Sequence, residues 1–371
     1  MSILIFILIL AVLIVVHEYG HFIVAKKWGV RVDEFGLGYP PRAKVLFKRK
    51  GTLFTLNWIP FGGFVKIFGE DPNDPPAKQG EAGESLYGEN RGVALTSKSR
   101  FAQATVMFAG PLFNFIFAWL IVLVILFLGL PSAVDSKNEK YVSGVKTVIT
   151  DIVKDSPAES VEILIGDAVL EAEFDGVTYA NLQEIDFSNF NKSDKVINLT
   201  VDRDGETLEK AISVGDYTVN EKPGIGVALQ TVGIYKPPFF KAVIESFRVT
   251  GEMIYQITFG LGSLVIDAFR GQADVSNITG PVGIVSLVGD ASSLGVVYLL
   301  MFIALISVNL GVINLIPFPA LDGGRIFFLV IEKIKGSPIS PKVANTLNSV
   351  GFLILITLML FITFRDIVKL F

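Results

Sequence analysis

Apolar residues come in long runs along this chain, and charged residues gather between them. Four runs are long enough to cross a bilayer core of about 30 Å. They cover residues 2–25, 105–130, 294–316 and 349–364. A weaker stretch, 237–270, is broken by Lys241, Glu245, Arg248 and Glu252. Its apolar residues recur near helical spacing, so it reads as an amphipathic helix lying at the interface. Between the first two runs, residues 35–68 are rich in Gly, Phe and β-branched residues. That pattern predicts short β-hairpins set against the membrane or the helix bundle. The Pro-, Gly- and acid-rich residues 69–92 predict a mobile loop. Residues 137–236 are charged, with strands predicted over 145–153 and 196–201 and a hairpin turn at Arg203-Asp204-Gly205-Glu206.

The expected fold is therefore an α-helical integral membrane protein with about four transmembrane helices, a membrane-associated β-hairpin segment and one inserted α+β domain. Its expected parts are a first membrane half over 1–136, the inserted domain over 137–236, an amphipathic connector over 237–293 and a second membrane half over 294–371.

Composition narrows the function. Of 371 residues, 51% are hydrophobic, too many for an ordinary soluble protein. The net charge is only −4 and no basic tail is present, so nucleic-acid binding has no support. The chain has no cysteine, which removes disulfides, thiolate ligands and a cysteine nucleophile. The N-terminus lacks the basic start of a signal peptide, and His17-Glu18 falls where a small-residue cleavage site would lie. Basic residues flanking the runs set the orientation. Lys26, Lys27, Arg31, Arg91, Lys98 and Arg100 put residues 26–100 in the cytoplasm, and Arg325, Lys333, Lys335 and Lys342 do the same for 317–348. The N-terminus, residues 131–293 and the C-terminus then lie outside, with Arg365 and Lys369 in weak opposition.

The chemistry sits inside the first run. His17-Glu18-Tyr19-Gly20-His21 reads H-E-x-x-H and holds both histidines of the chain. Histidines at i and i+4 share a helical face and can bind one Zn²⁺, with the glutamate as general base on an activated water. Charge at membrane depth costs roughly 2.5–3.5 kcal/mol per central residue on insertion scales, so such residues normally have a use. A polar kink or a proton relay is the competing reading. A catalytic zinc needs a third protein ligand, and without further His or any Cys it must be a carboxylate. Asp322 is the candidate, in Asn314-Leu315-Ile316-Pro317-Phe318-Pro319-Ala320-Leu321-Asp322-Gly323-Gly324-Arg325. The prolines break the helix at membrane depth, which is tolerated where backbone is buried in protein or lines a cavity. Asn314 can donate a hydrogen bond to a substrate carbonyl or a developing oxyanion. The alternative is a cytoplasmic capping turn with Asp322 solvated and Asn314 capping.

H-E-x-x-H in one span with N-x-x-P-x-P-x-L-D-G in a later one resembles the site-2 protease family, more narrowly its bacterial regulator-of-sigma-E protease branch. The match extends to the Gly/Phe-rich segment, to Phe108-Ala109-Gly110-Pro111-Leu112-Phe113-Asn114 and to Thr279-Gly280-Pro281-Val282-Gly283-Ile284. The resemblance implies a zinc endopeptidase of the bacterial inner membrane. It would cut single-pass membrane proteins, such as anti-sigma factors or signal-peptide remnants, within or near their spans. It implies His17, His21 and Asp322 as zinc ligands and Glu18 as the catalytic base. Asn314 and Pro317 would position substrate, with Asn114 a further candidate for substrate handling or else helix-packing polarity. The hairpin segment would hold the substrate extended by adding a strand to it.

Ser156-Pro157-Ala158-Glu159-Ser160 and Gly166-Asp167-Ala168-Val169-Leu170 resemble a PDZ domain, here expected outside the cytoplasm. Val161-Glu162-Ile163 departs from that pattern, and there is room for one such domain where well-known relatives carry two. Two other readings compete with the protease. One is a catalytically silent, PDZ-bearing membrane scaffold, against which an intact Glu18 speaks. The other is an ion transporter, disfavoured because the chain lacks two matching halves.

Overall fold

The computed structural model describes residues 1–70, 93–136, 138–180, 182, 196–203, 205–213, 218–219, 222–272 and 279–369. The expected loop over 69–92 falls almost wholly outside them, as do Arg91, Lys137 and Asp204. The chain divides into two units, Met1–Ile125 with Val243–Phe371, and Leu126–Ala242.

The first unit opens with α1 (Ser2–Lys27), the hairpin strands β1 (Val32–Arg49) and β2 (Thr52–Ile67), and α2 (Arg100–Leu128), which runs into the second unit. The second unit continues with β3 (Leu130–Ala133), β4 (Val142–Ile152), α3 (Pro157–Ser160), β5 (Ala168–Phe174), β6 (Val177–Tyr179), β7 (Val196–Arg203), β8 (Glu206–Ser213), β9 (Thr218–Val219), β10 (Lys222–Pro223) and β11 (Val227–Tyr235). The chain then returns to the first unit through α4 (Phe239–Phe269), α5 (Pro281–Ser293), α6 (Val296–Leu315), α7 (Asp322–Lys335) and α8 (Pro341–Val368).

Sequence logic accounts for the helix ends. Lys26 and Lys27 complement the C-terminal dipole of α1 before Gly29 turns left-handed at φ 66°. Ser340 caps α8 by accepting the Val343 N–H, with Pro341 in the first turn. The membrane-facing character is plain on α8, where Phe352, Leu353, Leu360, Phe361 and Phe364 are all exposed.

Five described helices, where the sequence predicts four, are long and apolar enough to cross a membrane: α1, α2, α4, α6 and α8. The addition is α4. Its charges other than Asp267 lie in its first half, where Arg248 pairs with Glu245 at 3.8 Å and Glu252 at 3.0 Å. That leaves the second half mainly apolar, and it is the helix as a whole that has the length of a span. Two boundaries also move. The fourth run extends back to Pro341, and the connection after α6 folds into α7.

Contacts fix the running directions. Ile9 and Leu13 in the N-terminal half of α1 share one apolar cluster with Leu299, Phe302 and Ile303 in the first half of α6, while Asp322, just beyond the end of α6, meets His17 and His21 in the second half of α1. Helices α1 and α6 therefore run in parallel. Helix α2 runs against both, its first turns lying beside His21 through Val106 and its middle beside α6 through Asn114 and Ser307. Helix α8 also opposes α6. Gly351 packs on Pro319 beyond the end of α6, and Asp366 at the other end of α8 accepts the Gly283 N–H of α5 at 3.0 Å.

Strands β1 and β2 bend enough to pair twice. Glu34–Leu37 of β1 lies between the start of β2, at Leu53–Leu56, and its end, at Gly63–Lys66. Residues Gly63–Ile67 therefore form an outer strand beside α1. Aromatic rings of Phe22, Phe35, Phe47 and Phe54 stack beneath the sheet, and Val32, Phe35, Val65 and Ile67 join Ala25 and Met107 in one core.

The second unit is an antiparallel sheet in the order β3-β11-β4-β5-β7-β8, with β6 beside β5. The predicted strands over 145–153 and 196–201 correspond to β4 and β7, and Arg203 pairs with Glu206 across the predicted turn. Its core gathers Ile149, Val169, Leu199, Val201 and Ile212. Sheet dominates the described residues, with α3 the single short α-helix among them. Arg203 makes two hydrogen bonds to Asp167, at 2.7 and 2.8 Å. Burial opposes the Asp167 charge, but Arg203 and the Leu164 N–H hold its carboxyl below the usual range.

Candidate metal centre and active site

Helical spacing puts His17 and His21 one turn apart on α1, on the face turned toward α2 and α6. Both are buried. Their Nε2 atoms lie 3.2 Å apart, and Asp322 Oδ2 lies 3.1 Å from His17 Nε2 and 3.3 Å from His21 Nε2. These three form a near-equilateral triangle of donors. A tetrahedral zinc with bonds of about 2.0–2.1 Å has ligand-to-ligand edges of roughly 3.3 Å, so the triangle has the size of one tetrahedral face. The fourth corner is left for water or substrate.

The surroundings also suit imidazole ligands. His21 Nδ1 lies 2.8 Å from the Val106 carbonyl, to which it can only donate, and this leaves the Nε2 lone pair for the metal. His17 Nδ1 lies 3.1 Å from the Asn114 side-chain amide. With Nδ2 toward the ring, Asn114 Oδ1 is buried without a partner. Turning the amide over lets Oδ1 accept a hydrogen bond from His17 Nδ1–H and frees His17 Nε2 in the same way. Asn114 is itself fully buried, and its backbone carbonyl accepts the Ser307 hydroxyl at 2.8 Å. The candidate substrate-handling residue thus lies behind the donor triangle, within hydrogen-bond reach of His17.

Close approach of α1 and α2 depends on two glycines. A Cβ at Gly20 would strike the Ala109 carbonyl, and one at Gly110 would strike both histidine Nε2 atoms. Gly323 and Gly324 likewise let the first turn of α7 fold back onto the carbonyls of Leu315, Ile316 and Phe318, which brings Asp322 inward.

A cavity of about 410 Å³ opens on the donors. Glu18 lines it together with Asn314, Tyr39 and the outer strand at Gly63, Phe64 and Val65. The Val65 N–H donates to the Glu18 carboxylate. Pro317 is exposed and does not line this cavity. Glu70, which sequence reasoning missed, also lines it and is ion-paired to Arg325, one turn beyond Asp322. Burial pushes the Glu70 carboxyl above its ordinary range, and Arg325 opposes that shift. The pair ties the end of β2 to the start of α7. No local motif marks Glu70; its partner is 255 positions away.

Zinc held by these donors would supply Lewis acidity to a water and to a carbonyl oxygen. The chain's own residues do the rest. His17, His21 and Asp322 could hold the ion, Glu18 could take a proton from water and return it to the departing amine, and Asn314 could donate to a carbonyl.

Comparison with known proteins agrees with this chemistry. The Peptidase family M50 profile matches residues 5–358. The zinc metalloprotease RasP of Shouchella clausii is 28% identical over 435 aligned positions, covering 100% of this chain and 99% of that one. The regulator of sigma E protease of Haemophilus influenzae is 27% identical over 456, covering 98% of each. Both alignments are longer than this chain, so both relatives carry sequence that it lacks. A Clostridium perfringens relative is 32% identical over 359, covering 96% of this chain and 95% of its own. A multi-pass membrane bundle with an inserted β domain, a zinc-sized donor triangle with a carboxylate beside it, and a match over nearly the whole length lead to one conclusion: this chain belongs to Peptidase family M50, the site-2 proteases, and is a zinc metalloprotease.

Proposed function

We propose that the protein cuts single-pass membrane proteins within or beside their spans, in the bacterial inner membrane, with His17, His21 and Asp322 as zinc ligands and Glu18 as base. Anti-sigma factors and signal-peptide remnants are the substrate classes this reading favours. The carrying observation is that Glu18, the donor triangle and the outer strand at Gly63–Val65 line one cavity. A membrane helix hides its peptide bonds, so zinc chemistry needs the substrate unwound. An outer strand offers backbone N–H and C=O groups that can hold it extended. Asn314 faces the same space, while Pro317 acts by shaping the turn that carries Asp322.

The test is cleavage of a tagged single-pass reporter by the purified chain in detergent, with the cut mapped by mass spectrometry. The expected cut lies in the span or within a few residues of it. Cleavage confined to soluble tails would overturn this reading.

The proposed sidedness combines the basic residues flanking the spans with the running directions. Helices α1 and α6 are parallel and α2 opposes them, so the end of α2 and the start of α6 lie on one side of the membrane. An even number of crossings must join them. Helix α5 has 13 residues, about 20 Å, too short to cross. Helix α4 therefore does not cross alone and lies against the outer surface, leaving four spans and a PDZ-like domain outside the cytoplasm. The chain has no native cysteine, so single replacements report cleanly. Lys236→Cys and Gln272→Cys, before and after α4, are both expected to react with an impermeant maleimide applied outside spheroplasts. Protection of Gln272→Cys alone would make α4 a crossing helix.

A further inference from the structure

Asp322 follows a short connection after α6 that includes Ala320 at φ 76°. That is the left-handed region, which an L-residue with a Cβ disfavours. The Leu321 N–H closes a turn onto the Phe318 carbonyl around it, and α8 adds a second support. Asn348 Oδ1 accepts the Ala320 N–H at 3.2 Å. One turn further along α8, Gly351 packs on Pro319 so closely that a Cβ would lie 2.6 Å from the Pro319 carbonyl oxygen. Asn348 does not line the cavity that holds the donors.

We propose that Asn348 is a positioning residue for the metal centre: by accepting the Ala320 N–H it holds the turn that aims the Asp322 carboxylate at His17 and His21. It touches neither substrate nor metal and acts through the backbone two residues before the ligand. The proposal rests on Asp322 as a zinc ligand.

The experiment uses the full purified chain loaded with zinc. It compares zinc release to a chelator, together with kcat and KM on the reporter, for the native chain, Asn348→Ala, Asn348→Asp and the double variant Asn348→Ala with Ala320→Gly. Asn348→Ala is expected to release zinc about tenfold faster and to lower kcat with KM little changed. Asn348→Asp keeps an acceptor oxygen and is expected to stay near native. Glycine adopts positive φ freely, so Ala320→Gly in the Asn348→Ala background is expected to recover much of the zinc retention.

Native zinc release from Asn348→Ala would overturn the proposal. So would equal loss in Asn348→Ala and Asn348→Asp, which is the mark of general packing on α8. Should Asn348→Ala fail to fold, Asn348→Asp decides alone: native release supports the hydrogen bond and faster release overturns it. Asp322→Ala is run beside these. Zinc retained there refutes the ligand assignment itself, a failure distinct from that of Asn348.

Discussion

Glu18→Gln is expected to lower proteolysis about a thousandfold while zinc stays bound, within the 10²–10⁴ range of a positioned general base. Glu18 lies between His17 and His21 on α1 but is not one of the three clustered donors. Glutamine keeps the shape of the side chain and an oxygen for the Val65 N–H, so the hairpin and the ligands should keep their places. What it loses is the ability to take a proton from water. Initial rates on the reporter at matched zinc content check this. A variant within tenfold of native would place the base elsewhere in the cavity.

Gly110→Ala is expected to leave the chain folded and to reduce bound zinc to below about a tenth of native. A Cβ there would lie 2.7 Å from His17 Nε2 and nearer still to His21 Nε2, against about 3.5 Å for ordinary contact. Relief by moving α2 away is blocked on the same turns. Gly20 packs on the Ala109 carbonyl, and His21 Nδ1 is bonded to the Val106 carbonyl. The methyl group must therefore spread the two donors whose spacing suits zinc. Gly251→Ala on α4, where nothing lies within 4 Å, is the control and should keep its zinc. Metal analysis with circular dichroism reads the outcome. Full zinc in Gly110→Ala would mean the donors sit apart from this contact.

The candidate site is most legible where chemistry and local spacing coincide. His17, Glu18 and His21 are spelled within five residues, whereas the absence of Cys and of a third His asks only for some carboxylate, and Asp322 is singled out by its depth at the end of a span and by the resemblance to site-2 proteases. The outer strand was foreseen in kind from the Gly- and Phe-rich run, though not its double pairing, which is set by contacts across the hairpin. Asn114 was visible but ambiguous, because only its packing beside His17 Nδ1 separates a ligand-orienting amide from a substrate-handling one. Glu70 and Asn348 carry no signal, since each acts through a partner distant in sequence. The four charges in the first half of α4 give it an interfacial reading, although its overall length and apolar content also suit a span, because Arg248 pairs with Glu245 and Glu252 along the helix.

The most direct test of the central claim is zinc K-edge absorption and metal content of the purified native chain beside Asp322→Asn. One zinc per native chain is expected, with nitrogen and oxygen donors at about 2.0–2.1 Å, and loss of most of that zinc in Asp322→Asn. Zinc bound equally well in both proteins would contradict that claim, because the metal would then be held by residues other than the His17, His21 and Asp322 triangle.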